Sequence, residues 1–201
     1  MKGKRIRWCV LVLAGIAGLG LVSCASSRSP QITITTPLGR IEAEVFIDEA
    51  PISAQAFLRN VDAGVYRDGR AAFYRVVRMD NQPENEVKIE VVQGGVDRET
   101  GDTGVPYIPH ETTAVTGLTH RDGSLSLARM EPGTANTEFS ICIGPQPELD
   151  FGGRRNPDGQ GFAVFGQVTR GMDVVRRIQQ MPETAQYLDS PVSFTIQRET
   201  R

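Results

Sequence analysis

The sequence predicts a mainly β domain in which eight antiparallel strands close into a barrel that two α-helices cap. Short segments alternate apolar and polar residues, which is the pattern of half-buried strands. The 21 glycines and 12 prolines follow no short period, so the chain resembles neither a coiled coil nor collagen. With 201 residues and 39% hydrophobic content, it can form one sizeable core but not several.

The first element is a predicted lipoprotein signal peptide, residues 1 to 23. Four basic residues and no acid precede an uncharged apolar run from Trp8 to Val22. That run is shorter than the ~20 residues that span a bilayer comfortably, so a permanent transmembrane anchor is the less favoured alternative. Residues 21 to 24, Leu-Val-Ser-Cys, resemble the bacterial lipobox, which makes Cys24 the candidate lipidation site. Residues 24 to 30 then form a linker, and residues 31 to 201 form the folded domain.

Lipidation of Cys24 predicts a location in the bacterial cell envelope, facing the periplasm or the exterior. No acid directly follows Cys24, which by resemblance to lipoprotein sorting favours the outer membrane if the host has one. Cleavage removes four of the 22 basic residues and none of the 24 acids, so the mature domain carries a side-chain charge of −6. Nucleic acid is therefore not an expected partner, because phosphate binding needs an excess of basic residues.

The alternation and the turn residues give the order of the elements. A turn at residues 37 to 39 separates the first two strands, and Pro51 opens a helix that Gly64 ends. A second helix is predicted from Met172 to Met181. The predicted strands are Ile32 to Thr35, Ile41 to Ile47, Ala71 to Val77, Val87 to Val92, Ser124 to Ala128, Phe139 to Ile143, Phe162 to Val168 and Val192 to Gln197. Closure into a barrel would leave no strand edge free.

Six short segments carry a family resemblance. They are Phe-Tyr-Arg-Val-Val at 73 to 77, Val-Gln-Gly-Gly at 92 to 95, Ser-Leu-Ala at 126 to 128, Phe-Ser-Ile at 139 to 141, Leu-Asp at 149 to 150 and Phe-Gly at 165 to 166. In this order they resemble the signature segments of cyclophilins, the peptidyl-prolyl cis-trans isomerases. The resemblance extends from Ile32 to Gln197. It implies a cyclophilin-like barrel that acts on X-Pro bonds of proline-containing polypeptides and uses no cofactor.

The resemblance implies that Arg75 is the catalytic residue. Amide resonance gives a peptide bond a rotational barrier of roughly 18 to 20 kcal/mol. A fixed guanidinium, which does not deprotonate, can stabilise the twisted amide in which that resonance is lost. By the same resemblance, Gln93 orients Arg75 and reaches the substrate backbone.

The resemblance also supplies a set of substrate-binding residues. They are Gln93, Val91, Phe73, Ala128, Arg129, Glu138, Phe139, Ser140, Leu149 and Phe162. Several depart from the family pattern: Val91 replaces a methionine, Ser140 a phenylalanine, and Glu148 lies near the position of a tryptophan. We expect a shallower proline pocket built from Val91, Leu149 and Phe162, weaker proline binding, and weak binding of cyclosporin.

Arg129 and Glu138 stand where the family usually has an asparagine and a glutamine. Three interpretations stay open: an ion pair between the two across the groove, a contact of Glu138 with Arg75, or two solvated charges. The segment from Arg78 to Lys88 is an insertion relative to compact cyclophilins, and we expect it to lengthen a hairpin.

Other chemistries have little support in the sequence. His110 and His120 lack the partners of a metal site, and Cys142 has no second cysteine in the mature domain, so neither a metal nor a disulfide is expected. Ser124 and Ser126 lie near His120, but an alternating strand gives a hydrolase triad little support.

The alternative function is a catalytically weak cyclophilin-like module that binds peptides or acts as a scaffold. The favoured one is isomerisation of X-Pro bonds of envelope proteins during folding.

Overall fold

A computed structural model describes residues 29–96 and 103–199, so the predicted signal peptide and Cys24 lie outside the described residues. Within these ranges one antiparallel sheet contains ten strands. They are β1 (Gln31–Thr36), β2 (Gly39–Val45), β3 (Ala71–Val77), β4 (Val91–Val96), β5 (Ser124–Leu127), β6 (Phe139–Cys142), β7 (Ala163–Arg170), β8 (Glu183–Thr184), β9 (Tyr187–Ser193) and β10 (Thr195–Arg198). The helices are α1 (Pro51–Asp62), α2 (Thr113–Thr116) and α3 (Met172–Gln179), and Pro147–Leu149 forms a 3-10 turn. No helix of these two ranges is long and apolar enough to cross a membrane.

The strand pairings close the sheet into a ring. The order across the sheet is β10-β1-β2-β7-β5-β6-β4-β3-β9-β8, and Phe194 alone separates β9 from β10 along the chain. β9 pairs with β3, while β10 pairs with β1 on the opposite side. The Phe194 backbone N–H donates to the Ala71 carbonyl at 2.9 Å, where the segment changes partner. β9 and β10 are consecutive parts of one continuous segment, so together they count as one strand of the ring. Eight strands therefore surround the core, and β8 is a short additional strand outside the ring.

The core is aromatic and lies between the ring and α1. The Phe57 ring of α1 lies 4.6 Å from the Phe165 ring and 5.7 Å from the Phe139 ring, between centroids. Pro51 occupies the first turn of α1, where a missing N–H is tolerated. The next two backbone N–H groups donate to the buried Glu111 carboxylate at 3.2 and 2.9 Å. Gly64 follows the helix with a φ of +78°, as its predicted role as a stop requires.

In three places the strands differ from the prediction by more than two residues. The strand predicted from Val87 begins at Val91, because residues 78 to 90 form an insertion that folds outside the ladder. The predicted last strand, from Val192, is divided between β9 and β10. The β8-β9 hairpin was not predicted, because its turn residues Ala185 and Gln186 have φ values of +51° and +74° without being glycine or asparagine.

Candidate functional site

An open pocket of about 270 Å³ lies against strands β3, β4, β5 and β6. Its wall includes a row of residues that face one another across these strands: Arg75 pairs with Gln93, Gln93 with Ser140, and Ser140 with Ser126. Directly opposed residues in a sheet project from the same face, so this register places the four side chains side by side. The pocket brings together eight of the predicted site residues: Arg75, Gln93, Val91, Ala128, Arg129, Ser140, Leu149 and Phe162.

Arg75 is half-buried and held by two glutamine side chains. Its Nη1 donates to Gln93 Oε1 at 2.9 Å. Its Nε and Nη2 both donate to Gln186 Oε1, at 3.1 and 2.6 Å. The contact with Gln93 is the one the sequence predicts. Gln186 was missed, because it lies 111 residues away on a turn without the usual turn residues.

Gln186 is itself fixed by the insertion between β3 and β4. Its backbone N–H donates to Glu183 Oε2 at 2.5 Å, and its side-chain amide donates to the Asn81 carbonyl at 3.1 Å. Glu183 Oε1 accepts further bonds from Asn81 Nδ2 at 3.1 Å and from Arg78 Nη2 at 3.0 Å. The insertion therefore does not simply lengthen a hairpin: it packs against the β8-β9 turn that reaches Arg75.

The apolar part of the pocket is small. Val91 and Leu149 belong to a buried cluster with Val77, Ile89 and Cys142, and Phe162 packs against it. The structure thus places Val91, Leu149 and Phe162 together. The Arg129 guanidinium lies 5.3 Å from the centroid of the Phe162 ring and restricts its position.

Phe73 and Phe139 do not belong to the site, which corrects their assignment as substrate-binding residues. Both are fully buried, and their ring centroids lie 6.0 Å apart in the core. The pairing register shifts between Phe73 and Arg75, so the bulge turns two residues that strict alternation would place on one face to opposite sides. Ser140, the next residue of β6, lines the pocket, and successive side chains of a strand point to opposite faces, so Phe139 points into the core.

Glu138 lines an adjoining pocket of about 250 Å³, together with Tyr74. The Tyr74 hydroxyl donates to Glu138 Oε2 and accepts from Gln93 Nε2, the latter at 3.1 Å. Burial raises the pKa of the Glu138 carboxyl, and the bonds from Tyr74 and Gln93 offset part of that effect. A chain of hydrogen bonds therefore runs from Glu138 through Tyr74 and Gln93 to Arg75.

Neither predicted contact between opposite charges in the groove is present among the described residues. Arg129 pairs with Asp158 instead, through Nη1 at 2.8 Å and Nη2 at 3.0 Å, and also donates to the Gly161 carbonyl. Glu138 bonds to Tyr74 and not to Arg75 or Arg129. The third interpretation, two solvated charges, is also wrong, because each group has a defined partner.

A hydrogen-bonded row of three residues supports the pocket wall. His120 Nδ1 lies 2.7 Å from Asp150 Oδ1, and His120 Nε2 lies 2.9 Å from Ser126 Oγ. The sequence did not predict this contact between Ser126 and His120. Ser126 lies within a regular strand rather than at a sharp strand-to-helix turn, and the His120 side chain is completely enclosed. The row therefore braces β5 against the loop that contains Asp150.

The titratable groups elsewhere in residues 29–96 and 103–199 form no metal site and no second reactive site. In the part of the chain that the structure describes, no three His, Cys, Asp or Glu side chains are grouped so that they could hold a metal ion. Cys142 is a buried free thiol, and burial raises its pKa. It therefore stays protonated and unreactive at neutral pH.

The fold and the pocket define a class of protein. The closed barrel carries an open groove on its surface, with a fixed guanidinium beside a shallow apolar depression. An open groove of this kind suits a polypeptide segment better than an enclosed small molecule. The class is thus a β-barrel with an open surface groove that contains the fixed side chain of Arg75.

Comparison with known proteins identifies the family. A family model described as cyclophilin type peptidyl-prolyl cis-trans isomerase/CLD matches residues 31–198. A peptidyl-prolyl cis-trans isomerase from Acinetobacter baylyi is 31% identical over 173 residues, which cover 86% of this chain and 81% of the relative. Peptidyl-prolyl cis-trans isomerase B of Escherichia coli is 30% identical over 149 residues, covering 74% and 83%. The chain belongs to the cyclophilin-type peptidyl-prolyl cis-trans isomerases, enzymes that interconvert the cis and trans forms of X-Pro bonds.

Solved structures support the fold. A cyclophilin type peptidyl-prolyl cis-trans isomerase from Cryptosporidium parvum matches with a TM-score of 0.68 at 20% identity, covering 86% of this chain and 99% of that one. A second structure of that protein, determined in the presence of the dipeptide Ala-Pro, matches with a TM-score of 0.66.

Proposed function

We propose that Arg75 is the catalytic residue of this isomerase. The main support for this proposal is that the Arg75 guanidinium, in the wall of the pocket, is held by hydrogen bonds to both Gln93 and Gln186. A guanidinium has five N–H donors, and these contacts among the described residues use three of them. The remaining two can reach the proline amide nitrogen as it loses resonance, and a charge fixed in advance needs no reorganisation at that moment.

The proline ring would sit against Val91, Leu149 and Phe162, beside Arg75. The contact area is modest, since Phe73 and Phe139 lie in the core, and each Å² of apolar surface left uncovered loses about 25 cal/mol of binding free energy. We therefore expect weak binding and a high KM. Glu148 is partly buried and pairs with Arg154 at 2.9 Å, so it offers cyclosporin no aromatic surface, and we expect weak inhibition by that compound.

The test of the function separates turnover from binding. The full chain in detergent is mixed with a short X-Pro peptide, and exchange between the two isomers is followed by nuclear magnetic resonance. Isomerisation predicts exchange cross-peaks between the cis and trans signals at substoichiometric protein. A peptide whose signals shift on binding without exchange would contradict the proposal and favour the binding or scaffold module.

We further propose that the protein is lipid-anchored through Cys24 and acts on envelope proteins. The basic start, the apolar run and the lipobox-like segment support this location. Replacement of Cys24 by serine (Cys24→Ser) should release the protein from the membrane fraction or leave its signal uncleaved, with loss of the acyl mass from the chain. An unchanged mass and membrane content would contradict lipidation at this residue.

A further inference from the structure

A second arginine, Arg155, lines the same pocket as Arg75. Its Nη1 donates to Gln82 Oε1 at 2.9 Å and to the Val87 carbonyl at 2.6 Å, both of them uncharged acceptors. Arg155 is half-buried, and its pKa is lowered, mainly by burial and to a smaller extent by the positive charge of Arg75. The two guanidinium groups are therefore close enough for their charges to interact.

The charges that line this pocket are not balanced locally. The lining contains three arginines and, within the described part of the chain, no acid. Asp158 neutralises Arg129 through a bidentate pair. For Arg75 and Arg155 the contacts in residues 29–96 and 103–199 are all to amide or carbonyl oxygens. A wall of low dielectric constant strengthens such a field, although the domain as a whole is acidic.

The donors of Arg155 suit a carboxylate. Its two contacts both involve Nη1, so the Nε and Nη2 hydrogens are not used by the described residues. Guanidinium and carboxylate groups form bidentate, charge-assisted pairs of higher strength than neutral hydrogen bonds. Glu138, in contrast, lines the adjoining pocket on the far side of Gln93 and would repel an acid there.

We propose that Arg155, together with Arg75, forms a specificity subsite for an Asp or Glu side chain within two residues of the substrate proline, on the side away from Glu138. This proposal rests on the isomerase function proposed above. It assigns the enzyme a preference for acidic proline-containing segments. The insertion between β3 and β4 contributes, because Gln82 and Val87 hold Arg155 in place.

The test is a series of short peptides in which Glu, Gln or Lys occupies each position from two before to two after the proline. In low salt, kcat/KM for the Glu peptide should exceed that for the Gln peptide by about three- to ten-fold on one side of the proline, the size of one partly solvated ion pair. The Lys peptide should be the slowest. Added KCl should reduce the ratio, because salt screens the pair.

Ratios within two-fold of one at every position would overturn the subsite, provided the Gln peptides are turned over. Failure to turn over any peptide would instead count against the proposed function, and the Glu-to-Gln ratio of binding constants would then decide on the subsite.

Variants locate the subsite. Arg155→Gln should bring the Glu-to-Gln ratio close to one, and Arg155→Lys should keep part of it, because the charge remains. Arg170→Gln removes the same charge at an exposed residue of β7 that pairs with Glu42 and does not line the pocket, so its ratio should equal that of the parent. A full ratio in Arg155→Gln, or an equal loss in Arg170→Gln, would overturn the assignment.

Discussion

Among the described residues, the Arg75 guanidinium bonds to the amide side chains of Gln93 and Gln186 and to no carboxylate, which has a consequence for catalysis. A carboxylate partner would neutralise much of the guanidinium field, whereas Gln93 and Gln186 fix its orientation and leave its charge available. Folding thus fixes the orientation of the Arg75 side chain before any substrate binds. Residues that position Arg75 should accordingly affect turnover more than binding.

Gln186 is the position at which this can be tested. Gln186→Ala removes the acceptor of two Arg75 donors, so kcat should fall about tenfold, equivalent to ~1.4 kcal/mol of transition-state stabilisation, while KM changes little. Steady-state kinetics on an X-Pro peptide measure both. Gln197→Ala, at an exposed site on β10, is the control and should behave like the parent. A rise in KM at constant kcat would show that Gln186 contributes to binding instead.

Glu138 predicts a dependence of stability on pH. Its pKa is raised in the folded protein above the ordinary value of 4.5, so the folded state holds this proton more tightly than the unfolded state. The contribution of Glu138 to the free energy of unfolding therefore becomes less favourable as the pH rises through its pKa in the unfolded state. This contribution levels off above its pKa in the folded state. Glu138→Gln lacks this loss, so the free energy of unfolding of the variant minus that of the parent should grow from pH 4 to pH 8.

Urea unfolding across that pH range measures the difference. Glu131→Gln, in an exposed loop nearby, corrects for the removal of one acid. A difference that shrinks as the pH rises would contradict the raised pKa of Glu138.

Among the elements, the insertion between β3 and β4 has the clearest structural role. Gln82 lies at its centre with 1% exposure and donates to the carbonyls of Arg78 and Ile89, each at 2.7 Å. Asn81 and Arg78 connect the insertion to Glu183 at the β8-β9 turn. The insertion is thus a folded brace between the pocket and the turn that carries Gln186.

Gln82→Ala should destabilise the protein by about 2 to 3 kcal/mol, because it removes the partner of the buried Ile89 N–H and carbonyl and leaves Arg155 with the Val87 carbonyl alone. Urea unfolding at neutral pH gives the value. The control is Glu84→Ala, an exposed residue of the same insertion, for which a change below about 0.5 kcal/mol is expected. Equal effects of the two substitutions would mean that the insertion is not organised around Gln82.

For the molecule as a whole, the sequence predicted the mainly β fold because most strands alternate regularly and α1 and α3 have clear boundaries. It failed at Ala185 and Gln186, where a left-handed turn is formed by residues that rarely adopt it. It also failed at Val87 to Glu90, which have the composition of a strand but lie in the insertion. In both places contacts between distant segments outweigh the local preferences.

For the site too, prediction succeeded for some residues and failed where distant segments meet. Arg75, Gln93 and Ser140 were placed through a family resemblance, and the strand register explains why they meet. The resemblance assigned Phe73 to substrate binding, but the bulge between Phe73 and Arg75 turns the Phe73 side chain into the core. Gln186, which contacts Arg75, and Arg155, which lines the pocket, lie on a turn and a loop far along the chain, so no local motif marks them.

The catalytic role of Arg75 is tested most directly by comparing turnover and binding of one peptide. Isomerisation of an X-Pro peptide and binding of the same peptide are measured for the parent and for Arg75→Ala. We expect kcat/KM to fall at least a hundredfold, while peptide affinity changes by less than about fivefold, because a fixed charge used in the transition state contributes mainly to turnover. Isomerisation that survives the substitution in a folded protein would contradict the assignment of Arg75.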